Sequence, residues 1–238
     1  EESKDTNEFS VLLPVHLLGY VAEMDKINAM AKKYGLVVFE DAAEAHGSKY
    51  KGKKVGSLST LSDFSFYMAH AVCAGEYGTI NTSDEELKNL CESLKGNGRM
   101  CCCTVEQRAS KKCPHVVEEK SGVDPRYFSS VVGYNFKATE FQALLGLTQI
   151  AKTDETIRKR QENVRYLNEG LARYSDKLRL PMFSREVSYL CYPIVIKDAS
   201  INRKKLREKL AASGIESRPL FGCAPIHQPA YSYMKQEY

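Results

Sequence analysis

Three short segments of this 238-residue chain hold the side chains best suited to chemistry. Glu40-Asp41-Ala42-Ala43-Glu44-Ala45-His46-Gly47 places small residues directly after an acid, and Phe64-Ser65-Phe66-Tyr67-Met68-Ala69-His70 ends on an imidazole. The third is Val132-Gly133-Tyr134-Asn135-Phe136-Lys137-Ala138-Thr139-Glu140-Phe141-Gln142-Ala143. A histidine near its unperturbed pKa of about 6.5 moves protons at neutral pH. Cys101, Cys102 and Cys103 are adjacent and Cys113 follows on the same aperiodic stretch.

Positioning these groups requires strands and helices in alternation. Val11 to Val15 reads as a buried strand, and Val21 to Tyr34 spaces Met24, Ile27, Met30 and Ala31 as one helical face, stopped by Gly35. Leu36 to Phe39 is a strand that delivers Glu40-Asp41 at its carboxyl edge, which completes a β-α-β unit and predicts a parallel α/β sheet. Open α/β sheets bind ligands at that edge, and the three segments converge there. After a polar connection at 50–56, strands are expected at 64–67 and 77–80, then a helix from the Thr82-Ser83-Asp84 cap to about Leu94. Residues 97–130 lack periodicity. Helix returns from Thr139 to about Arg173 with a break near 152–154. It is followed by a strand at 189–196, a basic helix at 202–212 and a strand at 215–221, with a domain boundary near 152.

Composition narrows the function classes. Hydrophobic residues make up 43% and charged residues 27%, ordinary globular usage that excludes a disordered or fibrous chain. The 34 basic residues outnumber the 30 acidic ones by only four and are scattered, which argues against nucleic acid as a partner. No apolar run reaches the roughly 20 residues of a membrane span. Eight cysteines in this length, three of them adjacent, fit a reducing, cytoplasmic setting.

From about Val11 to Gln228 the order and spacing of these segments, with Pro14-Val15-His16-Leu17-Leu18-Gly19 and the stretch 221–228, resemble the DegT/DnrJ/EryC1/StrS group of sugar-modifying enzymes. The resemblance implies the aspartate-aminotransferase (type I) α/β fold and bound pyridoxal or pyridoxamine phosphate. It makes residues 1–152 the later part of a large cofactor-binding domain and 153–238 the start of a small α+β domain. Family members have a preceding stretch with a phosphate-binding loop, so the resemblance also implies that this chain is a fragment. Asp41 matches the acid that pairs with the pyridinium nitrogen, Ala43 the small residue against the ring, and Ser65 the hydroxyl donor to the phosphate. Asn135 matches an amide that reaches the phosphate from a neighbouring subunit, implying a homodimer with shared active sites. Glu44 stands where the family usually has a glutamine near the ring hydroxyl.

The position of the lysine that holds the cofactor covalently in the aminotransferases is His70, 29 residues after Asp41. That substitution resembles the 3-dehydratase branch, which removes the C3 hydroxyl of a nucleotide-linked 4-keto-6-deoxyhexose, with His70 as the acid/base. One such branch carries an iron–sulfur cluster (2Fe–2S) and works with a reductase partner. Cys101, Cys103 and Cys113 resemble its ligand segment, although its first cysteine falls on Ala43 and Cys113 is displaced by two residues.

Two rivals stay open: an aminotransferase that uses Lys49, Lys51, Lys53, Lys54 or Lys137, and a non-catalytic binder in which Tyr77 crowds the cofactor loop. His16, His46 and His227 read as local hydrogen-bonding or substrate-side residues, and His115 as a loop histidine.

Overall fold

The computed structural model describes residues 9–101, 103–110, 127–220 and 227–236. Val11–Leu12 is β1, Met24–Tyr34 is α1 and Val37–Asp41 is β2. The first strand is shorter than the apolar run because Pro14 has no N–H to give a ladder. Its carbonyl still accepts from Asp41 N at 2.9 Å, and Val15 forms an isolated parallel bridge with Asp41. Helix α1 ends as expected on Gly35, whose left-handed φ of 67° suits a residue without Cβ. Its buried residues Met24 and Ala31, two turns apart on one face, pack with Val38 of β2 in the main core cluster.

The polar connection folds into a hairpin of Lys49–Tyr50 (β3) and Lys53–Lys54 (β4), an element the polarity of the segment concealed. Lys51 and Gly52 both have positive φ, the backbone that a two-residue hairpin turn requires. Leu61–Ser65 is β5 and Gly78–Thr82 is β6. The sheet order is β1-β2-β5-β6, with β1, β2 and β5 parallel and β6 antiparallel on β5. The architecture is therefore the expected α/β one with a mainly parallel sheet. Strand β6 reverses because residues 66–77 contain no crossover helix and return along β5 directly.

Glu85–Lys95 is α2, capped by Asp84, whose side chain accepts from Leu87 N at 2.9 Å. The aperiodic stretch holds one short helix, Val105–Ala109 (α3), started by a reciprocal Thr104–Gln107 cap. Glu140–Ile150 (α4) begins on a full capping box of Thr139 and Gln142, and Thr153–Leu171 (α5) follows the expected break.

The described chain divides into two compact units, one of 1–164 with 183–191, the other of 165–182 with 192–238. The division falls inside α5, whereas the pattern placed a boundary near 152. In the second unit Leu178–Arg179 (β7) pairs with Val195–Ile196 (β8), and Arg203–Ala212 (α6) is capped by Asn202. The strand expected at 189–196 is reduced to β8, because Tyr189 has a left-handed φ of 36° and Leu190 N bonds instead to Leu18 O. No strand forms at 215–220, where Arg207 Nη2 bonds the Ser217 carbonyl, and residue 221 lies outside the described residues. Among the described residues no helix is long and apolar enough to cross a membrane.

Candidate functional site

Strand β2 ends on two acids that face opposite sides of the sheet, because side chains alternate along a strand. Glu40 turns inward and is fully buried, with His16 beside it. Four groups donate to its carboxylate: His16 Nε2 at 3.0 Å, Gly56 N at 3.0 Å, Leu58 N at 2.9 Å and Ser59 Oγ at 2.8 Å. Burial opposes the charge, yet the hydrogen bonds, led by His16, hold the Glu40 carboxyl below the usual carboxylate range. Because Ala22 N donates to His16 Nδ1 at 3.2 Å, the ring proton directed at Glu40 sits on Nε2. His16 N also donates to the Asp41 carbonyl at 2.9 Å. His16 thus takes the local hydrogen-bonding role, and Glu40 is a buried hub that periodicity alone did not disclose.

Asp41 faces the other side and is half-buried. Its Oδ1 accepts from Ala43 N at 3.1 Å, which turns the chain immediately after the acid and brings the small side chain of Ala43 beside it. Its register partner in β5 is Asp63, a second carboxyl absent from the expected site. Ser65 follows two residues later on the same face, roughly 7 Å further along the strand. Ser65 Oγ accepts from Tyr67 N at 3.2 Å, an arrangement that leaves its own hydroxyl proton able to donate.

The turn beyond Ser65 carries His70. Two backbone bonds close its base, Phe66 N to Tyr77 O at 2.8 Å and Ala74 N to Phe66 O at 2.7 Å, over the buried cluster of Phe66, Val72 and Ala74. His70 N bonds back to Tyr67 O at 2.9 Å, and the rings of Tyr67 and His70 meet edge-on at 6.1 Å. Nδ1 of His70 is buried without a hydrogen-bond partner. Tyr77 packs its ring on Phe66 at 5.0 Å and so helps anchor this turn. His46 lies against Phe64 and Phe66 with neither ring nitrogen partnered; burial, and then the nearby His70, push its pKa down to about 4.

The remaining expected residues lie apart from this edge or are otherwise engaged. Glu44 Oε2 accepts from Leu18 N at 2.6 Å and thereby holds a non-glycine residue at a φ of 57°. Asn135 is exposed on a strap that crosses the end of α2, paired with Gly96. The crossing needs glycine on both chains, since a Cβ on Gly98 would overlap the Val131 carbonyl and one on Gly133 would overlap Gly98 N. Lys49, Lys51, Lys53 and Lys54 belong to the β3–β4 hairpin, where Lys51 pairs with Asp25 of α1, and Lys137 stands exposed before α4. Cys101 is half-buried and Cys103 buried, while Cys102, Cys113 and His115 lie outside the described residues. Among the described residues no group of three or more His, Cys, Asp or Glu is placed to hold a metal ion, and Cys113, one of the three expected cluster ligands, lies outside them. His227 is exposed in the second unit.

Comparison with known proteins returns one family over nearly the whole chain: residues 2–238 match the DegT/DnrJ/EryC1/StrS aminotransferase family. The chain is 33% identical to a GDP-perosamine synthase of Caulobacter vibrioides, over 98% of this chain and 57% of that protein. It is 34% identical to a dTDP-4-dehydro-2,6-dideoxy-D-glucose 3-dehydratase of Saccharopolyspora spinosa, over 97% of this chain and 51% of that one. Among solved structures, an E. coli GDP-4-keto-6-deoxy-D-mannose-3-dehydratase with bound hydrated PLP superposes with a TM-score of 0.77 at 26% identity. That match covers 91% of this chain and 55% of the other. The chain spans about half the length of the curated relatives it matches.

Proposed function

The chain belongs to the DegT/DnrJ/EryC1/StrS aminotransferase family, and from that premise we propose that the complete protein is a pyridoxal/pyridoxamine phosphate enzyme acting on a nucleotide-linked 4-keto-6-deoxyhexose. Its reaction is loss of the C3 hydroxyl, a dehydratase step of deoxysugar biosynthesis. The observation that carries this finer reading is His70, an imidazole at the head of a pinned turn where an aminotransferase would place its lysine.

The residues present fit the cofactor by their own chemistry. Asp41 offers a carboxylate to a cationic ring nitrogen, Ser65 a hydroxyl proton to a phosphate, and His70 an imidazole whose Nδ1 has no partner among the described residues. When bound, pyridoxamine phosphate supplies the amine that joins the C4 ketone and the ring that takes up an electron pair. Asp41 holds the positive charge of the ring nitrogen. Ala43 leaves room for a flat ring against the turn after β2. The His70 imidazole takes up a proton and returns it to the departing C3 hydroxyl, which leaves as water. The reading also has a homodimer with shared sites, supported by the exposure of Asn135 beside the bare, stacked rings of Tyr134 and Phe136. In this reading residues 153–238 begin the small domain.

Product analysis tests the proposal. The complete protein with pyridoxamine phosphate and a nucleotide-linked 4-keto-6-deoxyhexose is expected to yield a 3-deoxy sugar without a new amine. Borohydride treatment with pyridoxal phosphate is expected to label none of Lys49, Lys51, Lys53, Lys54 and Lys137. A 4-amino product and a labelled lysine would make the protein an aminotransferase, and binding without turnover would make it a binding protein. Asp41→Ala, which removes the counter-charge, is expected to weaken pyridoxamine phosphate binding by about 10- to 100-fold in equilibrium titration, the worth of one charged hydrogen bond.

A further inference from the structure

Asp63 is a carboxyl that the proposed mechanism does not use, yet it stands in register beside Asp41. The parallel pairing of β2 and β5 makes these two residues direct partners, so their side chains leave the sheet on the same face as Ser65. Each carboxyl is aimed by the turn between them: Asp63 Oδ1 accepts from Ala42 N at 3.2 Å, and Asp41 Oδ1 accepts from Ala43 N at 3.1 Å. Two consecutive backbone N–H groups thus hold two acids from neighbouring strands at one edge.

We infer that Asp63 is the second carboxyl of the ring-nitrogen anchor, sharing with Asp41 a proton that the pair gives up to water when the cationic ring nitrogen binds. The inference rests on the cofactor reading above. Two carboxylates at neighbouring positions resist double ionisation, so without a ligand the pair retains a proton more readily than a lone aspartate. Burial raises the Asp63 carboxyl above the usual aspartate range, and the Asp41 charge adds to the shift. Asp41 is the charged side chain that acts on it from β2, and its partner across β6, Ile80, carries no charge. A cationic ring nitrogen, the form in which the free cofactor exists at neutral pH, would remove the conflict at this pair: the shared proton would leave Asp63 for water, and one cation would face two anions. The step balances, since the proton lost by Asp63 is taken up by water and no other reactant is consumed. Asp63 acts as a positioning residue for that proton, while Asp41 stays the direct counter-ion.

The test uses Asp63→Asn and Asp41→Asn in the complete protein. Asparagine at 63 keeps an oxygen that can accept from Ala42 N, so the turn is retained while the titratable group is lost. Carbon-13 NMR of the carboxyls without cofactor should show Asp63 titrating above the ordinary aspartate value of about 4 and moving down in Asp41→Asn. A midpoint unmoved by Asp41→Asn overturns the pair whatever the cofactor does. Calorimetry of pyridoxamine phosphate binding, in buffers of different ionisation enthalpy from about pH 5 to about pH 7, counts the protons exchanged. Wild type should release more protons per cofactor than Asp63→Asn, which has no shared proton to give up. Equal counts with normal affinity overturn the inference and leave the cofactor reading intact, whereas no binding by wild type overturns both.

Discussion

His70→Asn is expected to slow C3 elimination by about 10²–10⁴-fold, the usual worth of a positioned general base, while leaving pyridoxamine phosphate affinity unchanged within a few-fold. The substitution keeps a polar group of similar reach but removes the one that titrates. The turn should survive it, because it is closed by the Phe66–Tyr77 and Ala74–Phe66 backbone bonds and seated on Phe66, Val72 and Ala74, none of which involves the imidazole. Binding should survive too, since the proposed cofactor contacts belong to Asp41 and Ser65. Single-turnover elimination measured at saturating cofactor, alongside the cofactor dissociation constant, separates the two effects. Elimination at the wild-type rate would remove His70 from the mechanism, and a parallel loss of affinity would make it a binding residue.

Glu40→Gln should cost about 3–5 kcal/mol of folding stability, the penalty for breaking a buried pair by altering one partner. Glutamine preserves the volume, but its single oxygen cannot receive from His16, Gly56, Leu58 and Ser59 together, and its NH₂ must oppose one of those donors. Ser59→Ala, which removes one donor of the four, should cost only about 1 kcal/mol and serves as the milder test if Glu40→Gln fails to fold. The pH dependence follows from the sign of each shift. The Glu40 carboxyl is depressed in the folded state, so its contribution is present above its unfolded pKa of about 4.3 and fades as pH falls through the folded value. His46, held near 4 by burial and His70, acts at higher pH: the unfolded imidazole protonates below about 6.5 and the folded one does not, so stability declines from there toward 4. Urea unfolding at neutral pH and at several points down to about pH 4 should therefore show both proteins weakening together, with their difference shrinking only at the acid end. A constant difference over that acid range would place the Glu40 effect in packing.

Much of the site was legible because its parts are local. The end of β2 at Asp41, the caps at Asp84 and Thr139 and the stop at Gly35 each depend on a few consecutive residues and their dihedral preferences. The spacing of Asp41, Ser65 and His70 along the chain likewise marked the segment that carries the proposed chemistry. Local reading failed where a pattern is ambiguous by construction. The β3–β4 hairpin has no apolar face to announce it, and its turn depends on Lys51 accepting a left-handed backbone beside Gly52. The run 189–196 has strand composition, but Leu190 N bonds to Leu18 O and only Val195–Ile196 pairs as a strand.

The sequence by itself determined the family, the α/β class and the replacement of a lysine by His70, all matters of residue identity and spacing. Tertiary structure alone decided which of the two consecutive acids is buried. Alternation requires Glu40 and Asp41 to face opposite sides, but only α1 packed over Val38, with the donors of 56–59 gathered beneath, makes the Glu40 side the interior. The partnership of Asp63 with Asp41 comes from the same source. Strand register is set by long-range pairing across 21 residues of intervening chain, which no local pattern encodes, and a shift of one residue would have turned Asp63 to the other face.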